Sequence, residues 1–264
     1  MLQLTQNLKS GKMELTEVPF PALEKGKILV RNHFSLISSG TESYKVETAR
    51  KSLIGKAKEK PEQVKQVLDT LKKEGFVNTY NKVMNKLDAL SALGYSSAGE
   101  VIEVGNDVTK FKVGDRIACG GHDIANHAEV ISVPENLAVK IPENVSFEEA
   151  SFTTLGAIAL QGVRQADVRI GENVAVIGLG LIGLIIAQLL KANGCRVLGL
   201  DINENNFEIV KKFGCNECAL FNYDFIKFVE SFTNGYGSDA VIITHSTKSN
   251  EPIEYSLHLN ARYQ

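Results

Sequence analysis

The sequence predicts an α/β fold: a strand-rich, β-barrel-like unit followed by an incomplete, doubly wound parallel sheet. Three observations predict it. Residues 1–144 hold short apolar runs separated by Gly, Pro and Asp turns. From about residue 147, apolar strands and amphipathic helices alternate, the spacing of right-handed crossovers onto parallel strands. The strand at 174–178 then ends in a glycine-rich turn that opens a helix.

In the first part, KILVRNHFSLI, GEVIEVG, DRIACG and HAEVISVP read as strands. VGNDVTKFKVGDRI carries turn residues at Gly105, Asn106, Asp107, Gly114 and Asp115, which suits a compact barrel. Between about 45 and 90 the texture is helical. Pro61 suits the first turn of a helix, and Val64, Val67, Leu68 and Leu71 fall on one face. Gly75 ends that helix, and 76–87 forms another. The first domain is therefore read as 1–146 with a helical insertion at about 45–90.

The second domain is read as 147–264. Helices are expected near 147–164, 181–193, 204–213 and 224–233 and from about 250. Strands are expected at 174–178, 196–201, 217–221 and 239–244. These strands number four, whereas a full sheet of this kind has six in the order 3-2-1-4-5-6. The domain is thus read as truncated.

Composition narrows the function. The chain is 44% apolar and 23% charged with a net charge of −2, so no basic excess points to nucleic acid or a membrane surface. The start MLQLTQNLKS lacks the features of a signal peptide. The only candidate for a membrane span, 174–190, is interrupted by glycines and shorter than the ~20 residues that cross a bilayer. Four cysteines without a framework of spacings suit a reducing interior, and the expected location is the cytoplasm.

The glycine-rich turn carries chemistry. Gly178, Gly180 and Gly183 form G-x-G-x-x-G between strand and helix, with Leu179, Leu181 and Ile182 completing the loop. The first glycine permits the turn, the second admits a pyrophosphate and the third lets the helix pack closely, while the helix start offers N–H donors. Asp201 follows the third glycine by eighteen residues, at the end of the next strand. A carboxylate there accepts hydrogen bonds from ribose hydroxyls and repels a 2′-phosphate, and no arginine follows in Ile202-Asn203-Glu204. A Rossmann-type NAD site results, with NADP disfavoured. Thr244 and His245 follow the fourth strand, at the edge where a nicotinamide would lie.

LEKGKILVRNHFSLISSGTE, LGYSSAGEVIEVGNDVTKFKVGDRI, SVPENLAVKIPENVSFEEAS and NVAVIGLGLIGLIIAQ together resemble the medium-chain dehydrogenase/reductase, or alcohol dehydrogenase-like, family. The resemblance covers most of the chain outside 45–90. It implies a GroES-like catalytic domain, a Rossmann domain, and hydride transfer between a nicotinamide and a carbonyl or alcohol in the cleft between them.

The chain departs from that family where zinc is bound. Zinc-dependent members carry Cys-Gly-Thr-Asp where this chain has Ser39-Gly40-Thr41-Glu42, and Gly-His-Glu where it has Gly94-Tyr95-Ser96; the third ligand falls near Thr153. The four-cysteine loop for a structural zinc has no counterpart in 45–90. Neutral hydroxyls bind zinc weakly, so no metal is expected. The resemblance places Thr41 at a hydroxyl relay position and Glu42 at a second acidic position that orients a neighbour. Tyr95 could then supply a proton, Ser39 or Thr41 hold the carbonyl oxygen, and Glu42 orient Tyr95 or bind a substrate hydroxyl. The bland alternative is that these residues only fill an emptied site.

Other residues read as structural. His122, Asp123 and His127 could assemble a metal site, but HAEV at 127–130 fits a strand. His33 reads as a packed or edge histidine, and Cys215 and Cys218 close a helix where redox motifs open one. Segment 45–90 has eleven Lys/Arg against six Asp/Glu; a solvated face is the default, and a lid over an acidic, sugar-like or nucleotide-sugar substrate, drawn from Lys56, Lys58 and Lys60, is the sharper reading. Three functions compete: a zinc-independent NAD(H)-linked oxidoreductase on a polar carbonyl or alcohol, a catalytically incomplete nucleotide-binding fragment or module, and a metalloenzyme with unorthodox ligands. Expected partners are a small-molecule substrate and either a second copy or an attached or associated oxidoreductase module.

Overall fold

A computed structural model of the chain describes residues 1–52, 55, 58, 61–222, 224–245, 247 and 249–259. It divides into two compact units, Met1–Thr154 and Leu155–Gln264.

The first unit is built on two sheets. β3 (Lys27–Ser35), β5 (Ser96–Val104), β6 (Arg116–Gly120), β7 (Val130–Pro134) and β8 (Ala138–Lys140) form an antiparallel sheet in the order β7-β3-β5-β6-β8. β1 (Leu2–Asn7), β2 (Met13–Glu17) and β4 (Leu90–Ala92) form a smaller sheet in the order β2-β1-β4. The inward residues Ile28, Val30, Val101, Ile117, Ile131 and Val133 make a core with Phe111. Their spacing of two places them on one face of each strand. Residues 147–154 belong to this unit because α3 (Phe147–Ala150) packs on β3, β5 and β6. Its start is fixed by a capping box between Ser146 and Glu149, and the Phe147 ring stacks on His33, which stays exposed on β3.

Three sequence expectations are corrected here. The helix near 147–164 is two pieces, α3 and α4 (Thr153–Gln165): the Ser151 hydroxyl donates to the Glu148 carbonyl, and the Phe152 N–H donates to Glu149, three residues back instead of four. The helical segment begins at α1 (Ser39–Arg50), earlier than 45, since Glu42 closes the first turn on Ser38. HAEV is a strand only from Val130: the His127 N–H donates to the Leu93 carbonyl and only Ala128 makes a β-bridge, to Gln3.

α2 (Pro61–Asp88) is broken at Gly75, whose φ of 79° is not helical, as the sequence predicts. Its expected buried face is not buried: Val64 and Leu71 are half-buried, whereas Val67 and Leu68 are exposed. Lys56 and Lys60 of the basic segment lie outside the described residues; Lys58 is exposed.

The second unit is a parallel sheet of β9 (Asn173–Ile177), β10 (Arg196–Asp201), β11 (Glu217–Leu220) and β12 (Ala240–Ile243), in the order β11-β10-β9-β12. This is the 3-2-1-4 portion of the doubly wound order. Alternation sorts its two faces. Val174, Val176, Val197 and Ile242 pack with α4, α5 (Leu181–Ala192) and α6 (Phe207–Phe213). Ala175, Ile177, Leu198 and Leu200 pack with α7 (Phe225–Phe232) and α8 (Glu251–Leu259). Among the described residues no helix is long and apolar enough to cross a membrane.

Candidate functional site

The sequence-derived site residues fall into two groups, one in each unit.

In the second unit, the chain leaves β9 at Gly178 and turns into α5. Gly178 has φ +99°, and a Cβ there would meet His245 Cβ and Thr244 Oγ1 at 2.9 Å, so both backbone and packing demand glycine. A side chain on Gly183 would collide with the Gly178 carbonyl, whereas Gly180 faces open space. Gly180 caps α5 without any side-chain hydrogen bond. The first-turn N–H groups of a helix need acceptors, and among the described residues no side chain caps this one.

The loop is braced from both neighbouring strands. Asp201, ending β10, accepts the Leu179 N–H at 2.6 Å on Oδ2 and the Asn203 N–H at 3.0 Å on Oδ1. Asn206 donates to the Leu179 carbonyl at 3.1 Å. From β12, the Thr244 hydroxyl donates to the Gly178 carbonyl at 2.6 Å, and His245 Nδ1 lies 3.4 Å from the Ile177 carbonyl. β10 and β12 flank β9 on opposite sides, so the structure brings Gly178, Asp201, Thr244 and His245 to the point where the strand order reverses. Leu181 and Ile182 begin α5. Each Asp201 oxygen keeps a lone pair beyond its backbone bond. This set fits a dinucleotide.

In the first unit, Ser39, Thr41 and Glu42 lie on the first turn of α1. Ser39 and Thr41 are exposed, and the buried Ser38 hydroxyl donates to Thr41 Oγ1 at 3.3 Å. Tyr95 is half-buried, and among the described residues nothing bonds its hydroxyl. Ser96 turns inward and donates to the Ser151 carbonyl at 2.6 Å, and the exposed Thr153 donates to the Ala150 carbonyl at 2.7 Å.

Glu42 does not orient Tyr95. Its side chain is buried, with Oε1 accepting the Ser38 N–H at 2.9 Å and Oε2 lying 3.0 Å from His127 Nε2. The other ring nitrogen, Nδ1, is 2.8 Å from the Ser35 hydroxyl. Burial pushes the Glu42 carboxyl up, but its hydrogen bonds from His127 and Ser38 and its attraction to His127 and Lys45 outweigh this and leave it below the ordinary carboxylate value. Sequence reasoning did not single out Ser35 or Ser38, and it read His127 as part of a strand. His122 pairs with Asp123 at 2.9 Å, both exposed, and does not join His127.

Zinc does not fit the donors present. The positions that resemble its ligands hold Ser39, Tyr95 and Thr153, and among the described residues no three His, Cys, Asp or Glu form a metal-holding group. All four cysteines are free and buried, and burial pushes Cys119 up to about 12.

Comparison with known proteins finds matches in both units. Residues 70–143 match the alcohol dehydrogenase GroES-like domain, and residues 182–259 match the zinc-binding dehydrogenase model. The chain is 34% identical over 154 residues to D-guloside 3-dehydrogenase of Escherichia coli, covering 58% of this chain and 44% of that enzyme. It is 34% identical over 125 residues to (R,R)-butanediol dehydrogenase of Bacillus subtilis, covering 39% and 36%. In both, the match spans less than half of the relative's length. The fold is that of the Escherichia coli quinone oxidoreductase solved with NADPH, at a TM-score of 0.73 and 19% identity, over 98% of this chain and 70% of that one.

Proposed function

Because the chain belongs to the medium-chain dehydrogenase/reductase family, we propose that it is a zinc-independent, NAD(H)-linked oxidoreductase acting on a polar alcohol or carbonyl. The observation that carries this reading is the loop after β9, open at Gly180 and tied to Asp201, Thr244 and His245. The Asp201 carboxylate favours a ribose with free hydroxyls over one bearing a 2′-phosphate.

When bound, the nicotinamide accepts or returns a hydride at carbon. The protein must then manage the proton and the charge on the substrate oxygen. Ser39 and Thr41 offer exposed hydroxyls on one helical turn. Ser38 donates to Thr41 Oγ1, which leaves the Thr41 proton free to reach a substrate oxygen. Tyr95, half-buried and without a hydrogen bond to its hydroxyl among the described residues, gives up its proton in the reducing direction, and the phenolate takes one from the alcohol in the oxidising one. Glu42 holds the turn in place.

The names of the relatives, which point to glycosides and diols, support a polyhydroxy substrate. A sugar, polyol or nucleotide-linked sugar suits the polar hydroxyl set. The basic segment 45–90 adds a preference for an acidic substrate, and Lys58→Glu should then raise KM for a phosphorylated sugar while leaving KM for sorbitol unchanged.

The test is a fluorescence titration of the 264-residue chain with NADH and NADPH in parallel, followed by a screen of polyols with NAD. Saturable, NADH-selective binding with turnover supports the proposal. Binding without turnover supports a nucleotide-binding module instead, and no binding removes both.

A further inference from the structure

We propose that His127 is a positioning residue: held between Ser35 and Glu42, it fixes the carboxylate that closes the first turn of α1 and so sets where the Ser39 and Thr41 hydroxyls stand. The catalytic consequence rests on the oxidoreductase reading above; the placement of the turn does not.

The His127 and Glu42 side chains are only 9% and 10% exposed, and they meet through Nε2 and Oε2 at 3.0 Å. A carboxylate so buried requires donors, and it has two. Glu42 Oε1 takes the Ser38 N–H, and the Glu42 N–H returns to the Ser38 carbonyl at 2.9 Å, so the turn is closed in both directions. The ionised carboxylate only accepts, so Nε2 carries a proton. At Nδ1 the partner is the Ser35 hydroxyl, which both donates and accepts. The ring therefore holds Glu42 whether neutral or protonated.

The site is shaped to admit this ring. Gly94 has φ +93°, and a Cβ there would lie 2.7 Å from the His127 nitrogen and 2.9 Å from ring atoms Cγ and Nδ1. Only glycine lets the imidazole lie against the backbone directly before Tyr95. His127 is thus braced by the end of β3 (Ser35), by α1 (Glu42) and by the turn that carries Tyr95. Lys45 also attracts Glu42, and it donates to the Ala92 carbonyl at 3.4 Å. All three proposed reacting hydroxyls stand on backbone packed against His127 or Glu42.

The experiment uses the full chain with His127→Phe, His127→Gln and Ser35→Ala. Three quantities are read: amide exchange at residues 38–42, NADH affinity, and kcat and KM for sorbitol and butane-2,3-diol. The Gln variant retains an N–H that can reach Glu42, and Ser35→Ala removes only the Nδ1 partner. In His127→Phe, exchange at 38–42 should rise by about ten-fold or more while exchange in α5 stays constant. NADH affinity should not change, and kcat should fall about ten- to a hundred-fold with little change in KM. His127→Gln should recover most of both effects. Unchanged exchange at 38–42 overturns the positioning role. Raised exchange with an unchanged kcat overturns its catalytic consequence. Should the wild-type chain oxidise neither alcohol, the oxidoreductase reading fails and the exchange result still decides the role of His127. If His127→Phe does not fold, the Gln and Ser35 variants decide the same questions by the same readouts.

Discussion

Asp201 accepts the Leu179 N–H at 2.6 Å, so the carboxylate that ends β10 is bonded to the glycine loop that follows β9. One side chain therefore shapes the loop and faces the ribose in the proposed complex. The two roles separate by substitution. Asp201→Ala leaves the Leu179 N–H without its acceptor, which costs about 1–3 kcal/mol, and it should lower both Tm and NADH affinity. Asp201→Asn retains one acceptor oxygen without the charge. It should recover most of the stability while narrowing the preference for NADH over NADPH. An unchanged preference in both variants would show that Asp201 does not select the cofactor.

The glycines of the loop are predicted to behave differently from one another. Gly178→Ala places a Cβ 2.9 Å from both Thr244 Oγ1 and His245 Cβ at φ +99°, and strain of about 1–3 kcal/mol plus the clash should lower Tm. Gly180→Ala meets nothing within 4 Å, so it should fold with wild-type stability. Its methyl group would occupy the open face and should weaken NADH binding by roughly ten-fold or more, about 1.4 kcal/mol. Wild-type NADH affinity in Gly180→Ala would mean that the pyrophosphate is held elsewhere.

The parts of this molecule that were legible in the sequence are those encoded locally. The turn at Gly178–Gly183 announces itself because strand, glycines and helix are contiguous, and Asp201 follows at a fixed spacing. Strand alternation located the cores, since Val174 and Val176 necessarily face away from Ala175 and Ile177. The cluster around Glu42 was not legible. His127 meets partners 92 and 85 residues away, and only the return of β3 beside β7 and the turn at Gly94 bring them together. Helical periodicity also misled at α2: Val67 and Leu68 share a face with half-buried neighbours yet remain exposed. Periodicity reports that a face can be buried, not that something covers it.

Zinc uptake is a separate prediction. With Ser39, Tyr95 and Thr153 where thiolates, imidazole or carboxylate would be needed, protein purified without chelators should carry far less than one zinc per chain, and added EDTA should leave turnover unchanged. Elemental analysis gives the first quantity and an assay with chelator the second. Stoichiometric, EDTA-sensitive zinc would return the metalloenzyme reading.

The Glu42 carboxyl provides a prediction in pH. Its value in the fold lies below the ordinary 4.5, so on acidification the unfolded chain takes up this proton before the folded one does. The stabilisation from ionised Glu42 is therefore complete above about 4.5 and is lost as pH falls through the lower folded value. Glu42→Gln removes the charge at every pH. Its amide offers one acceptor oxygen where Ser38 N–H and His127 Nε2–H both donate, so one contact must be lost or the ring must change tautomer. The variant should be less stable than wild type by roughly 1–3 kcal/mol at pH 7. That gap should shrink steadily in urea unfolding series taken below pH 4.5. A gap that stays constant from neutral pH down to pH 3 would show that the Glu42 charge does not hold the first turn of α1.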